Sequence, residues 1–393
     1  MNIQLNKIFF LLGCLVIVSC TEPYPLETES NFEGLLVIEA QISNKLKFQK
    51  IKISSTYGFE EDGPSPITDA VVKVKDDTGL VYTFNYYPVD SSYISTEMFQ
   101  AFPEREYQLF INHSGEEYAS SAVSLPKHTE IGEISVETTT KDGVEGLQVS
   151  VSSYDPTGSS VYYRYDFTET YKVKAPYYSN KEAGALNNGW IHWWEPSENY
   201  KEVCFVNKKS DKILQFSTND LFEDRVENFP IRFISKDDGI LEHRYSIEIT
   251  QYVQNYEAYI YYSTLANVSL GGDVLSPTQP GFINGNIISE NSPERKIIGF
   301  FEVVSESSER KFIKFNDYYL GESPKLLECE VYSYNSEDLA MHPPGEAFEL
   351  RNHILNNTLI LYDVEFPDYI MVPPSCGDCK TLGSPEIPDF WEE

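Results

Sequence analysis

The sequence AVVKVKDDTGLVYTF, residues 70–84, alternates apolar and charged side chains up to the turn-forming residues Asp-Asp-Thr-Gly. Successive side chains of a β-strand point to opposite faces, so Val72 and Val74 share one face of this strand. Lys73 and Lys75 occupy the other face and meet solvent. The Asp-Asp-Thr-Gly segment that follows supplies the positive-φ position of a tight turn. The stretch therefore predicts an antiparallel hairpin with one buried and one solvated face.

Similar strands surround this hairpin between residues 34 and 127. Seven runs rich in β-branched and aromatic residues alternate with turn signals, at the spacing typical of a β-sandwich. They are LLVIEAQIS, FQKIKISSTY, AVVKVKDD, VYTFNYYPV, SSYISTE, EYQLFINHSG and EYASSAVSL. The order of hairpin, aromatic strand and Tyr-x-Leu strand resembles the prealbumin-like and carboxypeptidase-regulatory-like sandwiches. That resemblance supports an N-terminal β-sandwich domain over residues 34–127.

Residues 128–370 are predicted to form a second β-rich domain. The segment PKHTEIGEISVETTTKDG, residues 126–143, is interpreted as the crossing between the two domains. An aromatic insertion is expected at residues 175–203, after a long aromatic strand.

One helix is predicted in the second domain, at residues 255–268. The apolar period there changes to that of a helix and places Tyr256, Tyr259 and Ile260 on the packing face. Asn255 is expected to be the N-terminal cap.

Length and composition agree with this architecture. A chain of 393 residues exceeds what one hydrophobic core usually serves. The 28 Tyr and 23 Phe residues, with abundant Val, Ile and Thr, favour strands over helices. The predicted fold class is mainly β, with two antiparallel β-sandwich-like domains and one helix in the second.

The N-terminus has the features of an export signal. A lysine precedes an apolar run from Ile8 to Val18 that is too short to span a bilayer. The run ends in Ile-Val-Ser-Cys, which resembles the lipobox of bacterial lipoproteins and implies removal of residues 1–19 and acylation of Cys20. An ordinary secretory signal with a coincidental cysteine is the alternative. Residues 20–33 are acidic and contain proline, and they are expected to be a flexible tether.

The charge balance bears on the choice of partner. The chain has 30 Lys and Arg residues against 61 Asp and Glu, a formal net charge of -31. Nucleic-acid binding depends on cations that neutralise phosphates, so the balance argues against a nucleic-acid partner. The acidic residues are scattered, as is typical of a solvated surface.

Four cysteines remain once the signal residues and Cys20 are set aside. They are Cys204, Cys329, Cys376 and Cys379. An even number in an oxidising compartment favours two disulfides, with three possible connectivities. A four-cysteine zinc site would need a second close pair, and a thioredoxin-like motif would need a strand-to-helix context. Residues 371–393 are therefore predicted to be a clasp that fixes the C-terminus to the body.

Three tryptophans cluster in the insertion, within the sequence WIHWW. They are Trp190, Trp193 and Trp194. Exposed tryptophans at this place could stack on sugar rings or cover a partner. The alternative is that they seal the insertion onto its own sheet.

Motifs of known catalytic chemistry are not found in the sequence. It contains no nucleophile elbow, P-loop, His-Glu-x-x-His or Gly-x-Gly-x-x-Gly motif. The six histidines show no pair with the spacing of metal ligands. We therefore expect no metal, no cofactor and no enzymatic activity.

The C-terminal half resembles the DUF4249 family of Bacteroidetes outer-membrane lipoproteins. A helix, a double glycine and a Pro-containing loop are followed by further landmarks in the family's order. These are Gly-Asn-Ile at 285–287, Gly-Phe-Phe at 299–301, Arg310 with Ile313, and Cys-rich and Pro-Asp-Phe-Trp sequences that end at Trp391. Gly285 and Gly299 are expected to allow close backbone approach, Asn286 to bond its own backbone, and Trp391 to dock the tail.

The resemblance implies a location and a partner but no activity, because the family has no established biochemistry. It implies a protein held in the outer membrane by lipid at Cys20, and Glu22 resembles a signal for the cell-surface side. Members are often encoded beside TonB-dependent receptors, which implies an accessory role beside such a barrel. The alternative is a stand-alone extracellular module that binds glycans or proteins.

Overall fold

The structure, a computed structural model, describes residues 34–58, 63–185, 191–195, 198–270, 282–335 and 346–393. Within these ranges the chain is mainly β and sandwich-like, which confirms the predicted fold class. The first nine strands form the N-terminal lobe. They are β1 (Leu36–Ser43), β2 (Lys50–Ser55), β3 (Ser65–Pro66), β4 (Val71–Asp76), β5 (Val81–Tyr87), β6 (Ser92–Ser95), β7 (Glu106–His113), β8 (Glu116–Ser120) and β9 (Val123–Ser124).

The hairpin predicted at residues 70–84 forms from β4 and β5. Val72 and Val74 are buried, while the lysines between them are exposed. In the turn, one oxygen of Asp76 accepts hydrogen bonds from the backbone N–H groups of Thr78 and Leu80, both at 3.0 Å. Arg105 donates to the other oxygen at 2.7 Å. Burial alone would raise the pKa of Asp76, but these hydrogen bonds lower it below its ordinary value.

The next eleven strands and the first helix follow along the chain, and most of them form the middle lobe. They are β10 (Ile131–Lys141), β11 (Val144–Tyr154), β12 (Tyr162–Lys174), β13 (Glu182–Ala185), β14 (Ile191–Trp194), β15 (Val203–Lys209), β16 (Leu214–Ser217), β17 (Arg225–Ser235), β18 (Tyr245–Val253), α1 (Tyr256–Leu270), β19 (Ile287–Ser289) and β20 (Ile297–Ile313). One face of the β12–β18–β20 region packs on a second sheet of order β10–β11–β17. The predicted crossing at 126–143 is wrong in part, because it contains β10.

The C-terminal lobe is a small three-stranded sheet with two short helices. Its elements are β21 (Tyr332–Asn335), α2 (Glu346–Leu355), β22 (Ile360–Glu365), β23 (Asp368–Val372) and α3 (Pro374–Gly377). Single 3₁₀ turns occur at Pro88–Asp90, Gly239–Leu241, Phe315–Asp317 and Cys379–Thr381. Helix α2 is a difference from the prediction of a single helix.

Strand β20 belongs to two lobes at once. Its residues 297–304 pair in parallel with β1, and its residues 305–313 pair antiparallel with β18. The main sheet therefore runs without a break in the order β15–β12–β18–β20–β1–β2–β6–β5–β4–β7–β8–β19. Two features differ from the predicted architecture. The β1–β20 pair is parallel, whereas only antiparallel pairs were predicted. The core predicted within residues 34–127 also includes side chains from β19 and β20.

The family landmarks explain how closely the backbones meet at this strand. A Cβ on Gly285 would lie 1.6 Å from the carbonyl oxygen of Gly299, and a Cβ on Gly299 would lie 2.5 Å from that of Ile38. The expected close approach is confirmed. Asn286 differs from expectation, since its side chain accepts from the Phe301 N–H at 2.8 Å and donates to the Phe301 carbonyl at 2.9 Å.

Helix α1 lies where it was predicted but packs through another face. Its buried residues are Ala258 and Tyr261, which contact Phe300 of β20. Tyr256 and Ile260, expected on the packing face, are exposed. The amide of Asn255 donates to the backbone carbonyl of Ser124 at 2.8 Å, so it ties the helix start to the N-terminal lobe.

A buried ionic network lies between α1 and the main sheet. Glu302 accepts from the Arg164 guanidinium at 2.6 Å, from Gln254 at 2.8 Å and from the Tyr262 hydroxyl at 3.1 Å. Gln41 accepts a further hydrogen bond from Arg164 at 2.6 Å. Burial alone would lower the pKa of Arg164, but the charge of Glu302 raises it above its ordinary value.

Candidate functional site

The cysteine clasp predicted at the C-terminus consists of two disulfides. Cys204 of β15 bonds to Cys379, with the two Cα atoms 5.5 Å apart. Cys329 bonds to Cys376, with the Cα atoms 6.0 Å apart. Of the three possible connectivities, this one bonds each cysteine of the CxxC sequence to a distant partner. The two adjacent cysteines therefore join separate parts of the chain instead of forming a redox pair.

Aromatic contacts hold the rest of the tail against the body. Trp391 packs edge-on against Phe205 and Phe312, with ring centroids 4.8 and 5.7 Å apart. The Arg310 guanidinium lies 3.4 Å from the centroid of the Phe390 ring. The tail is thus docked on β15 and β20, as expected for Trp391.

The aromatic insertion forms a two-stranded hairpin of β13 and β14. Ala183 and Ile191 pack against the core of the C-terminal lobe, which includes Leu361 and Met371. Lys181, just before β13, forms an ion pair with Asp363 of β22. The hairpin is therefore fixed to the lobe that the disulfides brace.

The tryptophans of this hairpin remain accessible to solvent. Trp193 is 41% exposed and Trp194 is 40% exposed. The His192 ring stacks on Trp194, with centroids 5.3 Å apart and an interplanar angle of 27°. A Cβ on Gly184 would lie 2.8 Å from the His192 ring, so the glycine leaves room for this stack. Trp190 and Cys20 lie outside the described residues.

We call Trp193, Trp194 and His192 the aromatic surface. His192 and Trp194 point to one face of β14, where their rings stack, and Trp193 points to the opposite face with Ile191, so the two indole rings are accessible from different sides of the hairpin. Large, rigid rings of this kind bury much apolar area at low cost in conformational entropy when a partner covers them. Such a surface suits recognition of a sugar ring or of another protein.

A serine–histidine–glutamate arrangement occurs elsewhere, and sequence patterns did not reveal it. His128 lies 2.6 Å from the Ser305 hydroxyl and 2.7 Å from a carboxylate oxygen of Glu130. Hydrogen bonds from Ser307 and His128 lower the pKa of Glu130. Ser305 is only 1% exposed in the middle of β20, so no substrate can reach its hydroxyl. The arrangement instead joins β20 to the segment between the N-terminal and middle lobes.

In the described ranges, no group of three or more His, Cys, Asp or Glu side chains could hold a metal ion. No helix in the part of the chain that the structure describes is both long and apolar enough to cross a membrane.

Comparison with family models gives a match over residues 21–310, to the domain of unknown function DUF4249. The chain belongs to the DUF4249 family. The match ends before Cys329 and Trp391, so the DUF4249 region includes the main sheet and the aromatic surface but excludes the clasp.

Other comparisons add little to the DUF4249 assignment. A search of curated proteins finds no match. A crystal structure of a DUF4785 family protein from Legionella pneumophila is similar at 13% identity, with a TM-score of 0.16. The similarity covers 54% of this chain and 50% of that one. A TM-score this low carries no argument about fold or function.

Proposed function

We propose that this DUF4249 protein is a non-enzymatic accessory lipoprotein of a TonB-dependent outer-membrane barrel. Acylation at Cys20 would anchor it to the outer membrane, on the cell-surface side, and the aromatic surface would contact the barrel. The observation that carries the proposal is the partial exposure of Trp193 and Trp194 on a lobe braced by two disulfides. The lipobox-like sequence and the family resemblance support the location and the partner.

Protein interfaces obtain most of their affinity from a few of their residues. Tryptophan is enriched among the few residues that contribute most of the binding free energy, and these residues lie on pre-organised surfaces. Trp193 and Trp194 are of this residue type, and their hairpin is pre-organised because Ala183 and Ile191 fix it to the C-terminal lobe. Disulfides of this kind are typical of proteins in an oxidising compartment, which agrees with export.

A pull-down from native outer membrane tests the partner. The tagged full-length protein is expressed in its native host, outer membranes are solubilised in detergent, and co-purifying proteins are identified by mass spectrometry. Trp193→Ala with Trp194→Ala is expected to weaken capture of the barrel about 30-fold, the loss for removing a single strong interface residue. Phe222→Ala is the matched control, because Phe222 is a fully exposed ring in a different segment. Purification of the wild-type protein without any barrel would contradict the proposal.

The lipid anchor has a separate test. Mass spectrometry of the mature protein should find the N-terminus at Cys20, carrying acyl chains. Cys20→Ala should release the protein from the membrane fraction, because several acyl chains are needed for stable anchoring. An unmodified Cys20 in the wild-type protein would disprove the anchor.

A glycan-binding module is the second candidate, and the His192–Trp194 stack favours it. A flat indole face supported from behind is the usual platform for a sugar ring. Glycan-array binding by the wild-type protein, lost in Trp194→Ala and retained in Phe222→Ala, would establish this role. Indole fluorescence that no glycan changes would exclude it.

A further inference from the structure

A basic groove in the middle lobe reverses the charge balance of the chain. It has a volume of about 640 Å³ and lies between the β10–β11 turn, β17 and the β15–β16 connection. Five cationic and three acidic residues line it, whereas the whole chain has 30 cationic and 61 acidic residues. The cationic residues are Lys141, Lys208, Lys209, Lys212 and Arg232. A cationic lining in so acidic a protein points to an anionic ligand.

The acidic residues of the groove neutralise only part of this positive charge. Glu169 is buried and already accepts hydrogen bonds from Arg232 at 2.8 Å and from the Tyr245 hydroxyl at 2.6 Å. Asp142 has φ of 52° in the β10–β11 turn, and Asp211 is exposed in the β15–β16 connection. Within the described chain, none of the four groove lysines lies within ion-pair distance of a carboxylate, although the charge of Lys209 opposes the rise that burial causes in the pKa of Asp166.

Arg232 is held in one orientation at the base of the groove. Its Nε donates to Glu169, and one Nη1 hydrogen bond goes to the backbone carbonyl of Phe233 at 2.8 Å. These two bonds fix the guanidinium plane and leave the Nη2 donors for a ligand. The oriented guanidinium can therefore donate charge-assisted hydrogen bonds from Nη2 to a carboxylate or sulfate group.

The lining also offers apolar faces beside the charges. Leu214, Pro230 and Phe233 contribute to the walls, and Phe167 and Ile231 belong to the core beneath them. The cations come from three separate elements, so a ligand that meets all of them must be extended. Apolar faces beside spaced cations suit sugar rings that carry acidic substituents.

We propose that this groove binds an anionic polysaccharide, through sulfate or carboxylate groups spaced along its chain. The lysines supply mobile point charges that adapt to variable spacing, and Arg232 supplies a fixed contact. The net charge of -31 does not prevent this. Charges farther than about 8 Å are largely screened at physiological ionic strength, so the local cations dominate at the groove.

Binding of dextran sulfate and of polygalacturonate to the full mature protein tests the proposal, with neutral dextran as the uncharged comparison. The groove variant carries Lys141→Gln, Lys208→Gln and Lys212→Gln. The matched control carries Lys73→Gln, Lys314→Gln and Lys325→Gln, three exposed lysines outside the groove. Isothermal titration calorimetry measures each affinity, and circular dichroism verifies that both variants fold.

The wild-type protein should bind at least one of the anionic polysaccharides and not neutral dextran. The groove variant should bind about tenfold more weakly, the loss for three exposed ion pairs, and the control should bind like the wild type. Equal losses in the groove and control variants would overturn the proposal, as would absence of wild-type binding or equally strong binding of single-stranded DNA. Trp193→Ala with Trp194→Ala should leave this binding unchanged, which separates it from the role of the aromatic surface.

Discussion

Removing the Cys204–Cys379 disulfide is expected to destabilise the protein more than removing the Cys329–Cys376 disulfide. A disulfide stabilises mainly by restricting the unfolded chain, and the restriction grows with the length of the loop it closes. The first bond spans 175 residues and the second spans 47. In the chain-entropy model, these lengths correspond to about 5 kcal/mol and about 4 kcal/mol of unfolding free energy.

The two loops share their C-terminal end, which changes the estimate only slightly. With the Cys329–Cys376 bond intact, the unfolded chain still joins Cys204 to Cys379 through roughly 130 residues. Because the dependence on length is logarithmic, the cost of losing the longer bond stays at about 5 kcal/mol. By the same thermodynamic cycle, the cost of losing the shorter bond falls by an equally small amount and stays at about 4 kcal/mol.

Paired alanine variants measure the difference. Cys204→Ala with Cys379→Ala, and Cys329→Ala with Cys376→Ala, are unfolded in urea and followed by far-ultraviolet circular dichroism. Cys204, Cys376 and Cys379 are buried and Cys329 is half-buried, and alanine is smaller than cysteine, so the loss reflects the missing bond together with a small cavity. Thiol labelling of the unfolded wild-type protein, which should find no free thiol, is the control. The reasoning is refuted if the shorter loop costs as much as the longer one, or more.

Three further predictions concern single side chains. Glu302→Gln leaves the charge of Arg164 buried without its partner. The variant should lose about 3–5 kcal/mol of unfolding free energy, measured in urea. A loss below about 1 kcal/mol would show that water compensates the charge of Arg164. Asp76→Asn should destabilise the protein at pH 7. Because its hydrogen bonds lower the pKa of folded Asp76 below the ordinary value of 3.8, the ionised carboxylate stabilises the fold above pH 3.8. This stabilisation is lost as the pH falls through the lower folded-state pKa, so the difference in unfolding free energy between the variant and the wild type should close on acidification. A difference that does not change with pH would contradict this prediction. Trp391→Ala should speed proteolytic removal of the C-terminal tail without lowering the unfolding midpoint of the rest of the protein. Unchanged cleavage would mean that the Arg310–Phe390 contact and the Cys204–Cys379 disulfide suffice to hold the tail.

The sequence predicted the strands of the N-terminal lobe well, because their signals are local. Alternation at Val72 and Val74 and the turn at Asp76 act over a few residues, and the structure reproduces them. Helix α1 was likewise placed by its period. Its buried face was not, because Ala258 and Tyr261 face Phe300, a contact that only the tertiary fold supplies.

The remaining differences arise where distant segments meet. The parallel pairing of β1 with β20 joins residues that are far apart in sequence, and no local pattern marks it. Helix α2 offered little signal, since Leu350 and Ile354 are the apolar pair on its packed side. The connectivity of the cysteines and the exposure of Trp193 depend in the same way on which elements become neighbours.

Strand β20 has a consequence for how the chain acquires its structure. The N-terminal lobe is made early in synthesis, yet its sheet is completed only by residues 297–304, which emerge much later. Until then β1 presents an open edge, a template on which other chains can pair. Under the proposed export, the chain would have to stay unfolded, or be shielded, across most of its passage, because its first lobe closes only after most of the chain has arrived.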